Sequence, residues 1–418
     1  MWTKALDGLL THLFKRGRLR VTYPDGETRS YGPGGGPEAA VTLHDPALPR
    51  RIVISPDMAI GEGYMDGTVT FEADDVYGFL SLAIMNIAAQ GQPWFRRPLE
   101  GVRRLTRRLD QFNPVTRSRS NVAHHYDLSG ELYDLFLDED RQYSCAYFAR
   151  PDMTLEEAQT AKKAHIARKL LVEPGMRVLD IGCGWGGMGL TLARDFGADV
   201  TGVTLSREQH AMANARAEKA GLTDKARFEL MDYRDVAGKF DRIVSVGMFE
   251  HVGRSGFDAF FATLQRVLRP DGVALVHAIG TKAPRGGSDP WIRKYIFPGG
   301  YLPSLSETIA AAERSGMWVT DVEVLRLHYA ETLRHWSERF AQERETALKL
   351  YDERFCRMWE FYLAACEMAF RNGRLMVFQI QLAKRRDSVP LTRDYIAETE
   401  AGQIAGNMSS DTDTRRAS

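Results

Sequence analysis

The sequence predicts an α/β protein whose larger part is a mostly parallel β-sheet with helices on both faces. After residue 175, short apolar strands alternate with helical segments, and the first strand leads directly into a glycine-rich turn. A region with a different, turn-rich pattern precedes this alternation. At 418 residues the chain exceeds what one hydrophobic core usually holds, so two domains are expected.

The first 90 residues predict a small α/β domain. Apolar runs at 51–55 and 67–71 are typical of short strands, a glycine and proline cluster at 31–37 indicates a turn, and 76–89 predicts a closing helix. A linker is expected at 91–120, the sheet domain at 121–388 and a polar tail at 389–418.

The predicted linker is strongly basic. Residues 95–120 contain eight arginines against Glu100 and Asp110, in a chain whose 55 basic residues balance 55 acidic ones. One interpretation is a solvated linker helix, and the other is a surface that meets anionic lipid headgroups. The overall balance of charge argues against a nucleic-acid-binding protein.

The chain is expected to be cytoplasmic. Its N-terminus lacks the apolar core of a signal peptide, and no run approaches the roughly 20 apolar residues that span a bilayer. The cysteines lie far apart in no zinc-binding or disulfide pattern, so free thiols and no metal site are expected; they are Cys145, Cys183, Cys356 and Cys366.

Seven strands are predicted for the larger domain, at 177–181, 199–204, 226–230, 241–246, 272–278, 318–325 and 375–383. Residues 331–371, between the last two, are rich in helix formers and aromatic residues, which suits a lid or a substrate channel. Most aromatic side chains of this half are expected in the core, and some along a channel.

The segment VLDIGCGWGG at 178–187 predicts a nucleotide-type site. Gly182, Gly184 and Gly186 let the backbone approach a ligand at the carboxyl end of a strand. A glycine-rich turn alone is a weak signal. Here Asp180 forms an Asp-x-Gly-x-Gly arrangement, which resembles the motif of methyltransferases more than that of nicotinamide enzymes.

Two further strand ends carry candidate ligands for the same site. An acid usually binds the ribose hydroxyls after the second strand, and this sequence offers Thr204 and Gln209 instead. The third strand leads to MDYRD at 231–235, where a side chain and a backbone amide are expected to flank the adenine. A solvated polar loop is the alternative interpretation.

Four motifs carry a resemblance to a known family: NVAHHYDLSGELYDLFLD (121–138), QYSCAYF (142–148), GMFEHVG (247–253) and KYIFPGG (294–300). The chain resembles the cyclopropane fatty acid and mycolic acid cyclopropane synthase family from about residue 121 to 386. The resemblance implies a Rossmann-like S-adenosylmethionine-dependent methyltransferase fold with helical lid insertions. Residues 1–90 are similar to the extra domain of members that act on phospholipids.

The resemblance implies the activity and the site. The expected reaction transfers a methylene unit from S-adenosylmethionine to the cis double bond of unsaturated phospholipids. The protein is expected to be a homodimer that associates peripherally with the inner face of the membrane. The resemblance adds four residues to the cofactor-binding candidates: Tyr143, Ser144, Tyr233 and Arg234. Tyr233 stands where relatives carry tryptophan. A bicarbonate ion is expected beside the reacting methyl group, held by Cys145, Glu250, His277, Ile279 and Tyr329. Cys366, in YLAAC, is a further catalytic candidate.

The chemistry explains why such groups are needed. An alkene has no acidic proton, so its π bond must attack the sulfonium methyl directly, and positioning and water exclusion supply the acceleration. Ring closure then requires a small base for one proton. Glu250 and His277 are expected to orient bicarbonate, Tyr329 to donate to it, and the Cys145 and Ile279 amides to complete the site.

Other interpretations stay open. His277 could be a core histidine, Glu250 a helix cap and Cys145 small core filler. The same motifs fit a lipid methyltransferase that leaves a methylene or methyl branch. A methyltransferase for a small amine or phenol, or a lipid-surface protein with a degenerate site, would also share the fold.

Overall fold

The computed structural model describes residues 1–90, 130–282 and 289–397. The predicted basic linker and residues 398–418 of the predicted tail lie outside the described residues, so both interpretations of the arginine-rich stretch stay predictions. No helix of the described ranges is long and apolar enough to cross a membrane.

The N-terminal unit is a four-stranded sheet with helices. Its strand order is β2-β1-β3-β4, with β1 antiparallel to β2 and parallel to β3. The strands are β1 (Gly17–Thr22), β2 (Thr28–Gly34), β3 (Glu38–Leu43) and β4 (Val69–Phe71). The helices are α1 (Trp2–Leu13), α2 (Leu48–Ile54), α3 (Pro56–Met65) and α4 (Val76–Gln90).

The predicted strand at 51–55 is wrong, because those residues lie mostly in α2. Pro49 stands in the first turn of this helix, where the missing N–H costs no hydrogen bond. Leu48 and Ile52, four residues apart, are both buried, so packing overrides the β propensity of the run. The strand expected at 67–71 and the helix expected at 76–89 are confirmed as β4 and α4.

The second unit is a seven-stranded sheet in the order β10-β11-β9-β8-β5-β6-β7. Only β11 runs antiparallel to the others, so the predicted mostly parallel sheet is confirmed. The strands are β5 (Arg177–Ile181), β6 (Asp199–Thr204), β7 (Ala226–Leu230), β8 (Phe240–Val246), β9 (Leu268–Thr281), β10 (Trp318–Val324) and β11 (Leu375–Ala383).

Helices cover both faces of this sheet. They are α5 (Gly130–Asp134), α6 (Leu155–Lys169), α7 (Gly187–Phe196), α8 (Arg207–Lys219), α9 (Phe257–Val267), α10 (Pro290–Tyr295), α11 (Leu305–Arg314), α12 (His328–Gln342), α13 (Arg344–Leu350) and α14 (Glu353–Arg371). The predicted helix-rich insertion corresponds to α12–α14. Of these, α14 packs against α3 and α4, so the insertion joins the two units.

The two units share one apolar core. A single cluster of buried side chains extends from α1 and the small sheet to α12 and α14, while two further clusters lie against the faces of the large sheet. The start of the predicted tail also packs on the sheet, because Tyr395 accepts a hydrogen bond from Gln381 at 2.8 Å and Ile396 is buried.

Candidate active site

Two cavities meet at the carboxyl ends of the central strands. The first, of about 430 Å³, is bordered by the glycine turn and the ends of β6, β7 and β8, and is called here the strand-end cavity. The second, of about 810 Å³, has a mostly apolar lining and is called the apolar cavity. Both lie where open α/β sheets bind their ligands.

The glycine turn forms one border of the strand-end cavity. Gly182 has φ +79°, and a Cβ there would lie 2.7 Å from the Met248 side chain, so only glycine fits. Gly184 also borders the cavity. Gly186 is the residue before the first turn of α7, whose free N–H groups favour anionic ligand groups. Asp180 lies beside the turn with its pKa raised to about 7 by burial, partly offset by the charge of Lys162.

Thr204 and Gln209 lie together, as the prediction for the ribose requires. The Thr204 hydroxyl donates to Gln209 Oε1 at 3.0 Å, and both residues border the strand-end cavity. Ser206 holds them in place as the cap of α8, because its hydroxyl accepts a hydrogen bond from the Gln209 backbone N–H at 3.3 Å. A short sequence segment therefore builds this side of the cavity.

Tyr233 and Arg234 border the same cavity, but Arg234 is already paired. Its guanidinium donates to both carboxylate oxygens of Asp232 at 2.8 and 2.7 Å and lies 5.5 Å from the Tyr233 ring. Asp232 is buried and borders the cavity as well. The sequence prediction did not single out Asp232, although its place at a strand end, beside Tyr233, was the available signal.

Tyr143 and Ser144 lie on the wall that the two cavities share, together with Gly247, His251 and Gly299. The Tyr143 hydroxyl is 2.8 Å from that of Tyr362. Ser144 Oγ accepts a hydrogen bond from Lys162 at 2.8 Å. Lys162 is fully buried on α6, and burial lowers its pKa to about 8. Sequence reasoning missed this lysine, because lysines on helices are usually solvated.

The five residues predicted to hold bicarbonate all border the apolar cavity. They come from the loop after α5, the end of β8, strand β9 and the first turn of α12. The structure therefore brings together Cys145, Glu250, His277, Ile279 and Tyr329. The arrangement of Glu250 and Ile279 differs from the prediction in one respect.

The Ile279 backbone N–H donates to Glu250 Oε1 at 2.6 Å, so this amide, expected to hold bicarbonate directly, acts through Glu250 instead. Glu250 is 8% exposed, and its Oε2 has no hydrogen-bond partner among the described residues. Burial raises the pKa of Glu250 to about 7. A buried acceptor without a partner marks the place of a donor group or a cation.

His277 is neutral in this environment. Burial, assisted by nearby positive charges, lowers its pKa to about 3, and its Nδ1 lies 3.2 Å from Gln379 Nε2. Burial raises the pKa of the Cys145 thiol above its usual range, which leaves it protonated. Cys366 borders the apolar cavity from α14 with its pKa raised to about 12 by burial. A neutral thiol is a poor nucleophile, so this environment favours a lining group, and the catalytic role of Cys366 stays a prediction.

The apolar cavity extends into the N-terminal unit. Side chains of α1 and α4 line it there, among them Leu6, Leu10, Phe79, Leu80 and Ala83. Of the aromatic residues expected along a channel, four line this cavity: Trp291, Phe297, Phe361 and Tyr362. Phe249, Phe260 and Phe261 lie instead in the core against the sheet.

Comparison with known proteins identifies the family. The model of a family described as mycolic acid cyclopropane synthetase matches residues 114–380. The chain belongs to this family. Residues 5–86 of this cyclopropane synthetase family member match a second family model, described as a domain of unknown function.

Relatives of this cyclopropane synthetase family member cover most of its length. The cyclopropane-fatty-acyl-phospholipid synthase of Escherichia coli (strain K12) is 40% identical, covering 84% of this chain and 89% of the relative. A probable fatty acid methyltransferase of Pseudomonas putida is 37% identical, covering 88% and 92%. The crystal structure of mycolic acid cyclopropane synthase CmaA1 with SAH and CTAB has 38% identity and a TM-score of 0.61, covering 65% of this chain and 99% of that one. The protein is an S-adenosylmethionine-dependent enzyme of the methyltransferase class with the Rossmann-like fold that the sequence predicted.

Proposed function

We propose that this enzyme transfers a methylene unit from S-adenosylmethionine to the cis double bond of unsaturated phospholipid acyl chains and closes a cyclopropane ring. One observation carries the proposal. An apolar cavity built by both units borders the buried Glu250 and His277 and shares a wall with the strand-end cavity. The name of the E. coli relative supports phospholipid as the substrate class.

The strand-end cavity fits S-adenosylmethionine. Gly182 leaves room where a Cβ would clash, the Thr204 and Gln209 pair is placed for ribose hydroxyls, and Tyr233 offers an aromatic surface for the adenine. Tyr143 and Ser144, on the shared wall, would position the reacting end of the molecule. When bound, S-adenosylmethionine supplies an electrophilic methyl group and bicarbonate supplies a small base.

The residues around Glu250 fit bicarbonate. Glu250 Oε2, which has no hydrogen-bond partner in the part of the chain that the structure describes, can accept the O–H of the ion. The His277 ring and the Tyr329 hydroxyl can donate to its oxygens. The Cys145 amide is a further candidate donor, whereas the Ile279 amide holds Glu250 in place. Ionised Glu250 would also favour the cationic steps of the reaction.

The apolar lining performs the remaining tasks. It holds the alkene beside the methyl group, and it excludes water that would trap the carbocation as an alcohol. The π electrons form the new C–C bond as the S–C bond breaks toward sulfur. Loss of one proton from the transferred carbon then provides the electron pair that closes the ring. Aromatic faces such as Tyr362 and Phe361 stabilise the positive charge.

Product analysis tests the proposal. Purified enzyme is incubated with labelled S-adenosylmethionine and oleoyl phospholipid vesicles, with and without added bicarbonate. The expected lipid gains one CH₂ group and resists mild hydrogenation. The name of the P. putida relative favours fatty acid methylation as the second candidate function. A product that hydrogenates readily would identify a methylene branch in place of the cyclopropane ring. Transfer of the label to small amines or phenols, with no label in the lipid, would contradict both candidate reactions.

We further propose that the enzyme is a homodimer that works at the cytoplasmic face of the membrane, to which the arginines of residues 95–120 attach it. Reversing the charge of Arg103, Arg104, Arg107 and Arg108 should weaken binding to anionic vesicles and leave binding to neutral vesicles unchanged. If the charge-reversed variant binds anionic vesicles as well as the wild type does, the arginine-rich stretch is a linker without a role in membrane binding. Light scattering of the purified protein tests the dimer.

A further inference from the structure

The buried face of α6 is polar, which is unusual for a helix that covers a sheet. Lys169 on this face is fully buried, and its ammonium donates to Gln379 Oε1 at 3.0 Å and to Glu323. Gln379 lies on β11, directly opposite His277 of β9. The glutamine amide therefore stands between the buried lysine and the histidine ring.

The chemistry of the three groups determines the direction of each hydrogen bond. An ammonium group has donors only, so the side of the Gln379 amide that faces Lys169 must be its oxygen. The amide NH₂ then faces His277 Nδ1 at 3.2 Å and can only donate. Nδ1 must accept, so the proton of the neutral ring is on Nε2.

The surroundings oppose a second proton on this ring. Burial, together with Lys162, Lys169 and His165, lowers the pKa of His277, and the opposing effect of Glu323 is smaller than each of these. Glu323 is itself engaged by Lys169 and by His165, which lies 2.7 Å from it. The ring therefore stays neutral, and the orientation of Gln379 selects between its two neutral tautomers.

We propose that Gln379 is a positioning residue that holds His277 as the tautomer protonated on Nε2, so that the ring presents an N–H donor to the apolar cavity. The choice of tautomer follows from the contacts alone. Its use, donation to the bicarbonate oxygens, rests on the proposed function. In the opposite tautomer a lone pair would face the anion and repel it.

Nitrogen NMR of histidine-labelled protein tests the tautomer directly. The His277 signals are assigned by their loss in His277→Gln. The wild-type ring should show a protonated Nε2 and an unprotonated Nδ1, unchanged from about pH 5.5 to about pH 8.5. In Gln379→Glu the carboxylate can only accept, so Nδ1 should become protonated. A wild-type ring protonated on Nδ1, or identical ring signals in Gln379→Glu, would overturn the proposal.

The chain offers a matched control two residues along β11. Gln381 is as buried as Gln379, and its amide donates to the Lys169 carbonyl and to Tyr395 rather than to His277. Gln381→Glu should leave the His277 signals unchanged, which separates tautomer selection from the general effect of a buried carboxylate. If Gln379→Glu does not fold, Gln379→Met keeps the size of the side chain without the donor. It should give a mixture of both tautomers, and an unmixed wild-type pattern would contradict the proposal.

Turnover as a function of bicarbonate concentration tests the use of the tautomer. Gln379→Glu should raise the bicarbonate concentration at half-maximal rate by about tenfold, the effect of losing a hydrogen bond to a charged group, with unchanged affinity for S-adenosylmethionine. An altered tautomer with an unchanged bicarbonate response would refute the role of bicarbonate and leave the role of Gln379 standing.

Discussion

The two cavities differ in how the chain builds them. Among the described residues, those that line the strand-end cavity lie between 141 and 299, and two of its polar contacts join near neighbours, Thr204 with Gln209 and Asp232 with Arg234. The apolar cavity is lined by residues from 6 to 375 that come from both units. Binding groups thus come from local motifs, whereas the apolar compartment depends on how the two units pack.

The wall between the cavities combines both kinds of structure. Next to this wall, Glu250 follows β8 and His277 lies within β9, and both residues border the apolar cavity and are almost fully buried. Their unusual pKa values come from burial, and the cavity that they border is lined by residues of the N-terminal unit as well. The following changes test how the local groups and the packing of the two units each contribute.

The largest expected effect is on turnover in Glu250→Gln. The amide oxygen can still accept from Ile279 N–H, but the side chain loses its negative charge. We expect kcat to fall roughly a thousandfold, with little change in affinity for S-adenosylmethionine, measured with labelled cofactor and by calorimetry. Glu367→Gln is the matched control, because Glu367 is also buried, has one oxygen without a partner among the described residues, and lines neither cavity. Retained activity in Glu250→Gln would contradict the site.

The same variant should be more stable than the wild type at alkaline pH. Burial raises the pKa of Glu250 from 4.5 to about 7, so the unliganded native state loses stability as pH rises between these values. Glu250→Gln avoids this loss, which amounts to on the order of 3 kcal/mol at pH 8. Urea unfolding should show the difference at pH 8 and none below about pH 4.5. An equal difference at both pH values would show that burial does not tune this group.

Filling the distant part of the apolar cavity should affect lipid use alone. Ala83 lines the cavity from α4, and Ala83→Trp should lower kcat/KM for vesicle lipid by about tenfold, since overpacking costs a few kcal/mol at most. Affinity for S-adenosylmethionine should not change. Ala88→Trp, at an exposed position of the same helix, provides the control. Unchanged lipid kinetics in Ala83→Trp would show that the acyl chain does not enter the N-terminal unit.

A smaller effect is expected at the contact between the two units. Glu62 of α3 accepts hydrogen bonds from Lys294 at 2.7 Å and from Tyr295 at 2.9 Å, both on α10. Glu62→Gln should lower the free energy of unfolding by about 1 kcal/mol, less at high salt. Glu72→Gln, which loses an exposed pair with Arg20 inside the N-terminal unit, is the comparison. Identical effects of both changes, measured by urea unfolding, would show that the Glu62 contact does not hold the units together.

Much of the fold was predictable from local pattern. The seven strands and the glycine turn are confirmed, because alternating apolar runs and glycine turns act over a few residues. The run at 51–55 misled the prediction, since its β-branched residues suit a strand while burial of Leu48 and Ile52 requires a helix. Gln379 and Lys169 gave no signal at all, because their role depends on a contact between α6 and β11.

By itself, the sequence determined which groups stand at the strand ends, and its family motifs indicated the chemistry. This succeeded because a strand, its turn and the next helix are set by short-range geometry. Only the tertiary structure decided that the apolar cavity continues into the N-terminal unit, that Glu250 and Ile279 pair, and that Gln379 contacts His277. These features depend on distances and burial between residues remote along the chain, and no local pattern encodes them.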